Sequence, residues 1–156
     1  MRFRLDPRQR ADEAGRMAWV DEVADAVARE AASRGLDDEQ VYYLGAAIRE
    51  ALWNALDHGR NHRGEPWVDV GCRCGSKLVV TVRDRGPGFD PEQVPDPCAP
   101  GHCERPRGRG LFFMRRFTDR VSFSFPPRGS LVRLEKQLPA TSAGAGSSKG
   151  RDRKPA

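Results

Sequence analysis

The sequence has no run approaching the ~20 consecutive apolar residues that a membrane span requires. Its opening, MRFRLDPRQR, places no apolar segment behind the charges. The expectation is a soluble, cytoplasmic protein without a membrane partner. No internal repeat is visible, which sets aside solenoids and propellers, and 156 residues suit a single domain with one core. A zinc-ligand pattern is also missing. Cys72-x-Cys74 and the pair Cys98 and Cys103 in CAPGHC both depart from the Cys-x-x-Cys spacing of zinc sites. Cys72 and Cys74 continue the strand face begun by Val68 and Val70, which suggests buried thiols. A redox-responsive pair, or a metal site drawing on the four cysteines and His102, are the alternatives. A reducing compartment disfavours a standing disulfide. No large excess of one charge appears either: 27 basic residues stand against 22 acidic, a net +5 partly in the tail. That balance permits an anionic partner without demanding one.

What is present reads as two helices followed by strands. Phe3 and Leu5 alternate with charged residues as a short edge strand stopped by Pro7. Residues 11–33 carry Met17, Val20, Val23 or Ala24, and Val27 at helical spacing, with Gly35 placed to end the helix. Asp37 or Asp38 can cap a second helix running to His58, with Gly59 as its stop. Periodicity then changes to two: residues 67–74 and 77–83 alternate as a hairpin around Gly75-Ser76. Residues 85–110 hold most of the prolines and glycines, a length of loop that is usually functional. Residues 111–117 form a short helix, 120–125 and 130–138 another strand pair joined by PPRG, and the small, polar, basic tail is expected to be disordered.

The second helix has two faces. At about 100° per residue, with Glu50 at zero, Asn54 falls at about 40°, Asp57 at about 340° and His58 at about 80°. Leu44, Ile48, Ala51, Leu52, Ala55 and Leu56 lie across the opposite side, the wide stripe of a helix packed on a core. A polar arc of this kind is either a solvated surface or the wall of a site. Asn is a mediocre helix former, which argues for the second.

Two further segments bear on that choice: DRGPGFD, residues 84–90, and GRGLFFM, residues 108–114. Each alone reads as a turn or an ordinary loop. Together with the arc they meet the needs of a nucleotide. Asp84 at a strand end, beside Gly86 and Gly88, can accept a bond from an exocyclic amine while the backbone passes close to a flat base. Gly108 and Gly110, before a helix starting at Leu111, let backbone donors approach a triphosphate. Magnesium keeps several waters and bridges phosphates, so the Asn54 carbonyl suffices as its protein ligand. Glu50, one turn earlier, is placed to orient or deprotonate an attacking hydroxyl. His58 either lines the phosphates or caps the helix end.

Glu50-Ala-Leu-Trp-Asn54-Ala-Leu-Asp-His58-Gly59 resembles the asparagine box of the ATPase superfamily that includes gyrase, heat-shock protein ninety, histidine kinases and MutL. Asp84-Arg-Gly86-Pro-Gly88-Phe89 and Gly108-Arg-Gly110-Leu111 resemble its two glycine boxes. Within that superfamily the chain is most similar to the bacterial anti-sigma factor serine/threonine kinases. The resemblance implies an α/β two-layer sandwich, a mixed and mostly antiparallel sheet covered on one face by helices, the Bergerat ATP-binding fold. It implies a histidine kinase-like ATPase domain over residues 1–139 with an ATP lid at about 89–107, ahead of a disordered basic tail at 140–156. By position it assigns magnesium to Asn54, general base to Glu50 and adenine to Asp84. Gly129-Ser130-Leu131-Val132 resembles the family's Gly-Thr-Thr-Val strand, with the Ser130 hydroxyl supporting the base. The implied cofactors are ATP and Mg2+. The implied partners are a sigma factor, a STAS-domain anti-anti-sigma protein that is phosphorylated on serine or threonine, and a second copy of the chain. An ATP-dependent binding module without transfer and a detached histidine-kinase catalytic domain are the alternatives. A nucleic-acid patch of arginines from Arg105 to Arg120 is disfavoured, because no aromatic platform accompanies the charges.

Overall fold

A computed structural model describes residues 1–5, 12–60, 64–88, 90–91, 109–127 and 129–140. The order of elements is β1 (Arg2–Arg4), α1 (Glu13–Ser33), α2 (Asp38–His58), β2 (Asp69–Cys74), β3 (Lys77–Arg83), α3 (Gly110–Phe117), β4 (Arg120–Ser124) and β5 (Leu131–Gln137). The expected lid falls outside the described residues except for Asp90 and Pro91, and so do Gly108, Cys98, Cys103 and all of the tail beyond Ala140.

Local chemistry sets the helix ends. Asp12 caps α1 by accepting from the Gly15 amide at 2.8 Å. At the other end Gly35 takes φ +90°, and the Leu36 amide reaches back to the Ala31 carbonyl at 3.3 Å. Such a left-handed closure suits glycine. The next helix starts two residues later with a complete capping box: the Asp37 carboxylate accepts from the Gln40 amide at 2.7 Å, and the Gln40 side chain accepts from the Asp37 amide at 3.2 Å. α2 then presents Leu44, Ile48, Ala51, Leu52 and Ala55 to the core, all almost fully buried. The sequence wheel had these residues opposite Glu50.

The sheet order is β1-β2-β3-β5-β4, and every pairing is antiparallel, the limiting case of the mostly antiparallel sheet expected. Registers such as Val70↔Val82 and Val82↔Val132 bring apolar side chains side by side on one face. That face, with Val80 and Leu134, is buried under the helices with Val20, Val23 and Val27 of α1. The result is a two-layer sandwich. β2 begins at Asp69 rather than Trp67, because the chain before it forms an isolated bridge between Arg60 and Pro66.

Packing of α3 onto α2 is aromatic. The Tyr43 and Phe117 rings stack with centroids 4.5 Å apart, and Phe113 stacks on Phe117 at 5.5 Å. Ring pairs of this kind add about 0.5–1.5 kcal/mol beyond area burial. They fix where α3 begins relative to the middle of α2.

Cys72 is buried and Cys74 half-buried on β2. Burial pushes the Cys72 thiol up to about 12, which leaves it protonated and a poor nucleophile. Iodoacetamide at about pH 8 is therefore expected to leave Cys72 unlabelled in the folded protein and to label it in urea, as read by peptide mass spectrometry. No group of three or more His, Cys, Asp or Glu side chains among the described residues is arranged to hold a metal ion.

Candidate functional site

Two clusters form along α2. The first surrounds the start of α3. A Cβ built on Gly110 would lie 2.7 Å from Glu50 Oε2 and 3.2 Å from Asn54 Nδ2. Glycine at this position thus keeps open a space between two side chains of α2 and the first turn of α3. Glu50 and Asn54 are both half-buried. Burial raises the Glu50 carboxyl above its ordinary range, the direction in which enzymes tune a carboxylate for proton transfer. At the α3 N-terminus, Arg109 provides no side-chain cap. The helix start, with Leu111 buried behind it, leaves its first amides without that competitor for an anion.

The second cluster surrounds Asp84, which is buried at the end of β3. Its Oδ1 accepts from the Gly86 amide at 2.8 Å, the Ser130 hydroxyl at 3.1 Å and the Ser130 amide at 3.3 Å. The Asp84 amide in turn donates to the Ser130 carbonyl at 3.0 Å. Three donors on one oxygen lock the carboxylate in place and point its other oxygen to a different task. The family resemblance assigns the Ser130 hydroxyl to the base; in the structure that hydroxyl and the Ser130 amide are both directed at Asp84 Oδ1.

Close backbone approaches hold the clusters together. A Cβ on Gly86 would come within 2.3 Å of the His58 carbonyl oxygen and 2.7 Å of Gly59 Cα. One on Gly59 would lie 2.3 Å from Asp84 Cβ, and one on Gly129, whose φ is +125°, 1.9 Å from the Asp84 carbonyl oxygen. The Arg85 amide bonds the Gly59 carbonyl at 3.3 Å. The C-terminal end of α2 therefore rests directly on the strand end that carries Asp84. Gly86→Ala is expected to destabilise the fold by about 2–3 kcal/mol, since the methyl meets backbone that cannot swing aside. A lowered urea midpoint with an unchanged slope is the readout.

From Glu50 to Gly59 the helix rises about 13.5 Å, comparable to the length of an extended nucleoside triphosphate. Glu50, Asn54 and Gly110 sit at one end, Asp84, Gly86 and Ser130 at the other. His58, the last residue of α2, is exposed; its backbone, rather than its imidazole, touches the second cluster. Gly88, at φ +79°, packs on the Phe125 ring and lines a depression of about 390 Å³ with Pro87, Asp90, Pro91 and Phe125. Sequence reasoning read Gly59 as a helix stop and as the last residue of the asparagine box. Its contact with Asp84 is tertiary and was not read from either.

Comparison with known proteins follows the same lines. A model of the histidine kinase-like ATPase domain matches residues 14–136. A serine-protein kinase RsbW of Oceanobacillus iheyensis is 28% identical over 111 residues, covering 67% of this chain and 70% of the relative. An anti-sigma F factor of a Thermoanaerobacter species is 29% identical over 103 residues, covering 64% and 72%. Among solved structures, the RsbU and RsbW domains of a Mycobacterium tuberculosis protein superpose with a TM-score of 0.57 at 16% identity. That superposition covers 88% of this chain and 32% of the longer one, so the chain spans about a third of that protein. No described helix is long and apolar enough to cross a membrane. On the extent of the family match and the agreement of the fold, the chain belongs to the histidine kinase-like ATPase domain family.

Proposed function

We propose that the chain binds magnesium ATP along α2 and transfers the terminal phosphoryl group to a serine or threonine of a STAS-type antagonist, and that it sequesters a sigma factor. The observation that carries this reading is the convergence of Gly110, Glu50 and Asn54 at the start of α3, where the Arg109 side chain makes no cap bond. The names of the relatives, a serine-protein kinase and an anti-sigma F factor, support the reaction class and a sigma factor as partner.

Each side chain then has a task. Asp84, held through Oδ1 by Gly86 and Ser130, offers Oδ2 to the exocyclic amine of adenine. Gly86 and Gly88 let the backbone run close beneath the ring. Gly110 and Leu111 open α3 toward the phosphates, where the amides and the helix dipole favour negative charge; Gly108, outside the described residues, keeps the phosphate-side role that the glycine box implies. Asn54 would supply one oxygen to magnesium, and the exposed His58, about one turn further on, ends α2 beside the Asp84 cluster. ATP brings the activated phosphoryl group, and magnesium draws charge from its oxygens. Glu50 takes the proton of the incoming hydroxyl on its carboxylate as the new oxygen–phosphorus bond forms and ADP leaves. A second copy of the chain is the expected partner in a homodimer.

Incubation with labelled ATP, magnesium and STAS proteins from the same genome tests the reading. Label on a serine or threonine of one of them is expected. Binding of ATP without transfer to any of them would instead favour a regulatory binding module, and absence of ATP binding would remove both readings.

A further inference from the structure

The helices cover one face of the sheet, and the other face is basic. Strand alternation turns Lys77, Val79, Thr81 and Arg83 of β3 away from the core. Register places Arg4, Asp69, Arg83 and Leu131 in one row across four strands, and Arg73, Val79, Glu135 and Arg120 in another. Among the described residues, the two carboxylates that the strands place on this face, Asp69 and Glu135, are already engaged twice over. Asp69 takes Arg2 at 2.7 Å and Arg4 at 3.5 Å. Glu135 takes Lys77 and, at 2.7 Å, Arg133. Bonds from Lys77 and then Arg133 hold the Glu135 carboxyl down at about 2, so it remains ionised. Arg73, Arg83 and Arg120 are exposed and have no ion-pair partner among the described residues.

We infer that this open sheet face is a docking surface for an acidic protein partner, whose carboxylates meet Arg73, Arg83 and Arg120 around an apolar floor of Val79 and Leu131. Charge complementarity selects the class of occupant. The free arginines are sparse: Arg73 and Arg120 stand three strand spacings apart in one row, about 14 Å. Discrete carboxylates on a protein surface suit that spacing, whereas a nucleic-acid backbone presents charge far more densely. Gly71 lies on β2 in the row between those of Arg73 and Arg83, with the Thr81 hydroxyl leaning over it to bond its carbonyl at 3.3 Å, so the floor stays low enough there for apolar side chains to reach. Trp67 borders the face but carries the Arg85 guanidinium over its ring at 4.2 Å, which occupies the plane a base would stack on. A second copy of the chain offering the same face would bring like charges together.

The surface is independent of the nucleotide site, and its test needs no ATP. The full chain is titrated, by fluorescence anisotropy, into a labelled helical peptide bearing glutamate on one face and leucine beside it, and into a short DNA duplex. Peptide binding is expected to be tighter than duplex binding. It should weaken at least about tenfold between about 50 and about 300 mM salt, and at least about tenfold in the variant Arg73→Glu, Arg83→Glu, Arg120→Glu. The matching triple lysine variant should retain it, and if the glutamate variant melts early the three single substitutions replace it. Amide exchange should show peptide protection in β2, β3 and β5. Tighter binding to duplex, an affinity indifferent to the three charges, or protection confined to the helices would overturn the inference.

Discussion

Glu50→Gln is expected to lower phosphoryl transfer by about 10²–10⁴-fold while ATP affinity changes little. The amide keeps the size of the side chain beside Gly110 and removes only its capacity to accept a proton. The same substitution is expected to stabilise the fold at neutral pH, which separates chemistry from misfolding. The sign follows from linkage. Burial raises the Glu50 carboxyl above its ordinary 4.5, so between the unfolded and folded values the native state binds more protons than the unfolded one. Stability then falls as pH rises through that window. Above it the native protein bears an ionised, half-buried carboxylate that glutamine does not have. Urea melts of the two proteins should therefore diverge at pH 7 and converge below 4.5. The acid limb of the transfer rate should lie above 4.5 as well, since a general base must first lose its proton. Transfer undiminished in the variant would remove Glu50 from the reaction.

The combination of lost activity and gained stability is what a functional carboxylate in a partly apolar site should show, and it bears on how much could be read from the residues alone. Local rules carried a long way. The aspartate cap before α2, which the structure assigns to Asp37 rather than Asp38, the glycine stops at Gly35 and Gly59, and the two-residue alternation of Lys77 to Arg83 are all properties of neighbours in sequence, and the structure places them where the pattern does. The polar arc of α2 was equally legible, because one helix fixes the mutual angles of Glu50, Asn54 and His58. The facts that turn an arc into a candidate site were not. That Gly110 faces Glu50 depends on Tyr43 stacking on Phe117, residues 74 positions apart. That Gly59 touches Asp84 depends on the sheet order bringing β3 under the end of α2. Both are tertiary contacts between segments whose own sequences do not encode the distance. The basic sheet face escaped for a related reason: its arginines are scattered from Arg2 to Arg133, and only the register gathers them.

The largest effect on nucleotide binding is expected at the other end of α2, from Asp84→Asn. Asp84 Oδ1 is already committed to Gly86 and to both donors of Ser130, so asparagine should keep its carbonyl oxygen there and retain the fold. Its amide nitrogen must then occupy the position of Oδ2. An acceptor becomes a donor, and the amine of adenine meets another donor in a buried setting, where a mismatched pair loses its bond and leaves polar groups unsatisfied. ATP affinity should fall by at least about 100-fold, measured by calorimetry with magnesium. The same exchange suits a carbonyl at the six position of the purine, so the preference for ATP over GTP should shrink or reverse even as both bind weakly. Ser130→Ala supplies the companion measurement, because it removes one of the donors that fixes Oδ1 and leaves the carboxylate an acceptor. It should weaken ATP by a smaller factor, about tenfold, without altering the preference between purines. Equal loss of ATP and GTP in Asp84→Asn would place the base elsewhere along the helix, whereas a selective loss ties the adenine to the end of β3.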